Sequence, residues 1–118
     1  MPTRPYQFHP NMEGVILRIS GEICRKSVAQ FSRDLVQEAA RFGEPKMEVH
    51  LDFDELDLQD GTAVAETVNA IRELLEIMSS LTITHAPQML AHTLYKAGIL
   101  NDDRITLLNP VEEESTAN

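Results

Sequence analysis

Apolar residues follow two rhythms along the chain. Gly14–Ser20 reads Gly-Val-Ile-Leu-Arg-Ile-Ser and stops at Gly21, a β-rich run that predicts a strand. Tyr6–His9 precedes it across Pro10-Asn11-Met12-Glu13, which predicts an antiparallel edge partner, because prolines are tolerated at an edge. The period then lengthens. Val28, Phe31, Leu35, Ala39 and Phe42 recur at steps of three and four and form one stripe of a helix over 27–42. Ser27 and Gln30 have the spacing of a capping box. Gly43 holds the place of a C′ glycine, and Pro45 forbids continuation.

The period returns to two at Met47, Val49, Leu51 and Phe53, which alternate with Glu48, His50 and Asp52 and predict a second internal strand. Asp54–Asp60 follows as an acidic connection whose Leu56 and Leu58 turn inward. Val64, Val68, Ile71, Leu75 and Met78, widened by Ala65 and Leu74, predict a helix over 61–78 with Asp60 as its N-cap. Leu81–Thr84 reads as a strand. Pro87 then opens a short helix over 87–97 carrying Leu90, Thr93, Leu94 and Ala97, which Gly98 stops. Arg104–Leu108 is the last strand. The order β-β-α-β-α-β-α-β implies right-handed crossovers and an α/β fold: a mixed, mostly parallel sheet of four or five strands with an N-terminal hairpin and three to four helices. One domain spans residues 1–110, and 111–118 form an acidic C-terminal tail.

Composition narrows the function. Ten Lys and Arg stand against 19 Asp and Glu, a formal charge of −9, which argues against nucleic acid and anionic membranes as partners and for a basic one. Six of the acids lie between Glu48 and Asp60, a stretch without Lys or Arg. No apolar run is long enough to span a bilayer, and the N-terminus lacks the apolar core of a signal peptide. The single cysteine, Cys24, excludes an internal disulfide. These features suggest a cytoplasmic protein with no membrane insertion.

Catalytic constellations are not apparent. His9, His50, His85 and His92 lack metal-ligand spacing, so neither a metal nor another cofactor is expected. Asp52-Phe53-Asp54 invites comparison with a phosphoaspartate receiver, but a receiver carries its acids after a first strand that leads directly into a helix, and a lysine late in the sheet. Here the last lysine is Lys96, in a helix. Cys24 reads as a quiet thiol in a βα loop, although Arg25 and Lys26 beside it would favour the thiolate. No glycine-rich phosphate loop and no nucleophile elbow is present. The remaining feature is the turn Asp60-Gly61-Thr62, where acids meet a helix N-terminus. Its plain reading is a helix cap.

The layout as a whole resembles the STAS domain of anti-sigma factor antagonists, over about residues 6 to 109. The resemblance rests on Val15-Ile16-Leu17-Arg18-Ile19-Ser20-Gly21-Glu22, on Val49-His50-Leu51-Asp52 leading through Leu56 and Leu58 to Asp60, and on Ala97-Gly98-Ile99-Leu100 before the last strand. It implies a non-enzymatic, protein-binding signalling module in transcription regulation. Its partner would be an anti-sigma factor that doubles as a serine kinase, docked through Asp57, Asp60, Gly61 and Thr62. In the family the residue after the turn aspartate is a Ser or Thr phosphoacceptor. Here Gly61 stands there and Thr62 matches the second hydroxyl, which makes Thr62 the one candidate phosphoacceptor. One residue turns a helical side chain by about 100°, which would aim Thr62 at the core or the backbone. Ala63 and Ala65 replace glycines, and the final helix is shortened to the acidic tail. The resemblance also admits a cytoplasmic STAS subunit that regulates an ABC-type lipid transporter. A small metal-using enzyme built on the acidic cluster is the other class to weigh. Self-association into a homo-oligomer stays open.

Overall fold

The computed structural model describes residues 5–11 and 16–108; Gly14 and Val15 of the expected strand, Met12 and Glu13 of the turn, and the 111–118 tail lie outside them. In chain order the described elements are β1 (Tyr6–Pro10), β2 (Ile16–Ile23), α1 (Val28–Gly43), β3 (Glu48–Leu58), α2 (Gly61–Leu75), β4 (Ser80–Thr84), α3 (Gln88–Lys96), a 3₁₀ turn (Ile99–Asn101) and β5 (Ile105–Leu108). The strands form one sheet in the order β1-β2-β3-β4-β5. β1 runs antiparallel to β2, and the other neighbours are parallel. The expected mixed sheet and its three helices are therefore present.

Sequential parallel strands that always step the same way, joined by right-handed crossovers, place every helix on one face of the sheet. Strand alternation agrees. Leu81 and Ile83 of β4 are fully buried with Ile71 and Leu74 of α2, whereas Thr82 and Thr84, which alternate with them, are only half-buried. On the helix face of β2 and β3, Leu17, Ile19, Ile23, Leu51, Phe53 and Leu56 complete the apolar cluster. The opposite face carries polar residues: His9, Ser20, His50, Asp52 and Thr84.

Several local expectations are corrected. Ser27 sits at the N-cap of α1, but its side chain makes no capping bond. Its hydroxyl instead accepts from the Cys24 N–H at 3.2 Å and donates to the Cys24 carbonyl at 3.3 Å. Gln30 turns to Asp34, donating at 2.8 Å, so no capping box forms. Gly43 is the last helical residue of α1 rather than a left-handed cap, and the extended Glu44 before Pro45 ends the helix. β3 runs on to Leu58 through most of the stretch expected as a connection. A register shift opposite Arg18 and Ser20 inserts one extra residue, after which Leu56 and Leu58 resume the inward alternation. α2 ends at Leu75. Met78 is buried just beyond it, and Ala65 is exposed while Thr67 and Ala70 are buried.

A buried acid escaped the pattern. Asp34 on α1 accepts a 2.6 Å hydrogen bond from the Tyr6 hydroxyl. Tyr6 also meets Phe31 edge-on, ring centroids 5.1 Å apart, and Phe8 stacks on the same ring at 6.3 Å, so β1 is sealed onto α1 by polar and aromatic contacts together. Gly21 makes that approach feasible. It adopts a φ of 136°, and a Cβ there would strike the Pro5 carbonyl oxygen and Tyr6 Cα. At the other end of the sheet, Arg104 reaches the Leu75 carbonyl at the end of α2 and pairs with Asp102 at 2.6 Å. That guanidinium, with the Arg104 backbone N–H, holds the Asp102 carboxyl down at about 2.

Two substitutions test this packing. Ile71→Ala removes a side chain with no exposed surface and should cost about 2–5 kcal/mol by urea denaturation. Gly21→Ala should cost on the order of 1–3 kcal/mol, since it combines a disfavoured φ with a backbone clash. An unchanged denaturation midpoint in either variant would contradict the packing described.

Candidate docking site at the carboxyl ends of the strands

β2 and β3 are parallel and end side by side, so the segments that leave them share one end of the sheet. The Gln59 N–H donates to the Ile23 carbonyl at 2.8 Å, extending the pairing one step past β3. Glu22 and Asp57 are register partners, both exposed. Gln59 donates to Glu22 at 3.4 Å.

Asp60 organises the loops beyond. Its backbone is extended, at φ −150° and ψ 172°, as an N-cap requires. Oδ1 accepts the Ala63 N–H at 2.9 Å, and Oδ2 accepts the Arg25 N–H at 2.9 Å. One carboxylate thus caps α2 and holds the 24–27 turn against it. The Ala63 amide first, then the Arg25 amide, hold the Asp60 carboxyl below its usual value, with the Arg25 charge assisting. The aspartate named from sequence as a docking residue is therefore engaged by its own fold through both oxygens. Its carboxylate sets the loop geometry.

Gly61 and Thr62 open α2, and both are exposed. Of the two orientations expected for Thr62, toward the core or toward the backbone, the first is corrected, because the first inward positions are Ala63 and Val64. Gly61 has nothing within 4 Å of where a Cβ would lie, and it has no positive φ. Packing does not require glycine there, and a serine would fit. Sequence reasoning did not place Arg25, Lys26 and Cys24 at this site, since the Arg25–Asp60 contact joins residues 35 apart. The Cys24 thiol is held below its usual value, first by the Lys26 backbone amide and then, against some burial, by the Ser27 hydroxyl. Among the described residues no group of three or more His, Cys, Asp or Glu side chains is placed to hold a metal ion. Among the same residues, no helix is long and apolar enough to cross a membrane.

No family model matches the chain. No curated protein matches it either. Among solved structures, the Bacillus cell fate determinant SpoIIAA in its phosphorylated form is similar, with a TM-score of 0.55 and 16% identity over 95% of this chain and 100% of that one. At that identity the likeness is one of fold, and the fold is STAS-like.

The clasp makes a specific prediction. Asp60→Asn keeps a good N-cap acceptor, while Asp60→Ala loses it. In urea titrations at pH 7 the alanine variant should show the larger drop in midpoint. Because the Asp60 carboxyl lies lower when folded than unfolded, its contribution is complete above about pH 4 and fades as pH falls further. The difference between wild type and Asp60→Ala should shrink accordingly in acid.

Proposed function

We propose that this chain is a non-enzymatic regulatory module that docks a cytoplasmic protein partner of the anti-sigma factor kinase class, and that it does so constitutively. The observation that carries the reading is the turn at the start of α2: a STAS-like fold in which Asp60 fixes the loop while the position after it is an exposed glycine with open space around it. The docking surface comprises Asp57, Thr62, the loop that Asp60 holds, and the exposed side of α2. Gly61 offers a kinase no hydroxyl at the position where the family carries one.

Thr62 is exposed, so access alone does not protect it from a kinase. A phosphate there would stand two residues from the Asp60 carboxylate in an acid-rich stretch, and like charge opposes it. The helix dipole favours the phosphate by only about 0.3–1 kcal/mol at an exposed terminus.

The test is reconstitution with an anti-sigma factor kinase from the same cell. The wild-type complex should persist when ATP is added. A Gly61→Ser variant should bind equally well without ATP, become phosphorylated at residue 61, and dissociate when ATP is supplied. Phosphothreonine at Thr62 with loss of binding in the wild type would overturn the constitutive reading. Failure of either protein to bind under any nucleotide condition would overturn the partner class.

A further inference from the structure

On the sheet face away from the helices, β3 and β4 bring two histidines around one carboxylate. His50 pairs in register with Thr82, and Asp52 with Thr84. Two diagonal side-chain contacts cross this ladder. His50 Nε2 meets the Thr84 hydroxyl, and His85 Nδ1 meets Asp52 Oδ1 at 3.1 Å. The same Asp52 oxygen accepts the Asp54 N–H at 3.1 Å. His85 is a junction of its own. Its φ of 57° turns the chain off β4 toward α3, and its N–H donates to the Leu108 carbonyl of β5 at 3.1 Å. Three strands therefore meet at His85: β3 through Asp52, β4 through the chain, and β5 through Leu108.

We propose that this four-residue arrangement is an acid-responsive latch, closed when His50 is neutral and loosened when His50 takes a proton. A neutral ring needs one partner at Nε2, and the Thr84 hydroxyl serves as donor or acceptor. An imidazolium there is half-withdrawn from water, and the nearby carboxylate, Asp52, is already engaged by His85 Nδ1 and the Asp54 N–H. Burial pushes the His50 value down, Asp52 pulls it back up, and His85 adds to the downward push. The other groups on this face do not remove the conflict. Arg18 of β2 stands beside Asp52 in register and Ile16 beside His50. β3 adds Glu48 and Asp54, while Thr106 and Leu108 of β5 do not titrate.

The direction of the effect follows from the lowered value. The unfolded chain protonates first, so the His50 contribution to stability is complete above about pH 6.5 and is lost as pH falls through the folded value. An interval from about pH 7.5 to 5.5 brackets the ordinary histidine value.

The experiment is an NMR titration of the imidazole Cε1–H signals of the full chain, with thermal melts and amide exchange over the same interval. His50 should titrate below a histidine in an unstructured peptide, and closer to it in His85→Asn, where asparagine tolerates the left-handed backbone. The melting temperature should fall by a few degrees from pH 7.5 to 5.5 in the wild type and by less in His50→Gln. The protection factor of the His85 amide, which allows for the intrinsic slowing of exchange in acid, should fall at pH 5.5. A His50 titration at or above the peptide value would overturn the latch, as would the same pH slope in His50→Gln. Should His50→Gln fail to fold, the titrations of wild type and His85→Asn decide the matter alone.

Discussion

Each strand from β2 to β5 is added on the same side of the one before it, and the helix between them must return over the same face. From that constraint of handedness the rest follows. The sheet has one apolar face and one polar face, the three helices lie in a row, and every βα loop emerges at the same end. A doubly wound sheet would bury both faces and leave a crevice where its order reverses. This sheet has no reversal, so its chemistry is set on two open surfaces: the loop end, where β2 and β3 run out, and the uncovered face, where His50, Asp52 and Thr84 stand.

The fold was legible because its helices and strands differ in period. Val28, Phe31, Leu35 and Ala39 could not be mistaken for a strand, nor Val49, Leu51 and Phe53 for a helix. What failed was the reading of polar residues with more than one available partner. Ser27 had the spacing of a capping box, yet its hydroxyl found Cys24 and Gln30 found Asp34. The acids of 54–57 suggested a loop, yet one inserted residue was enough for Leu56 to keep β3 going. Periodicity describes burial, and polar side chains choose partners by distances that one sequence does not contain.

The site was legible in the same uneven way. Asp60 as an N-cap followed from local sequence, since it needs only the residues just after it. Its second bond, to Arg25, depends on β2 and β3 ending together and was invisible until the sheet was assembled. The likeness to SpoIIAA is one of fold at 16% identity. The exposed Gly61, the outward Thr62 and the doubly engaged Asp60 together define this end of the molecule.

Arg104 and Asp60 have a joint mechanical consequence. The axis of α2 is pinned at its amino end by a carboxylate and at its carboxyl end by a guanidinium, each matched in sign to the helix dipole. The helix is therefore a strut under restraint at both ends. Its amino end is thereby tied to the turn after β2, through Arg25, and its carboxyl end to the start of β5, through Arg104.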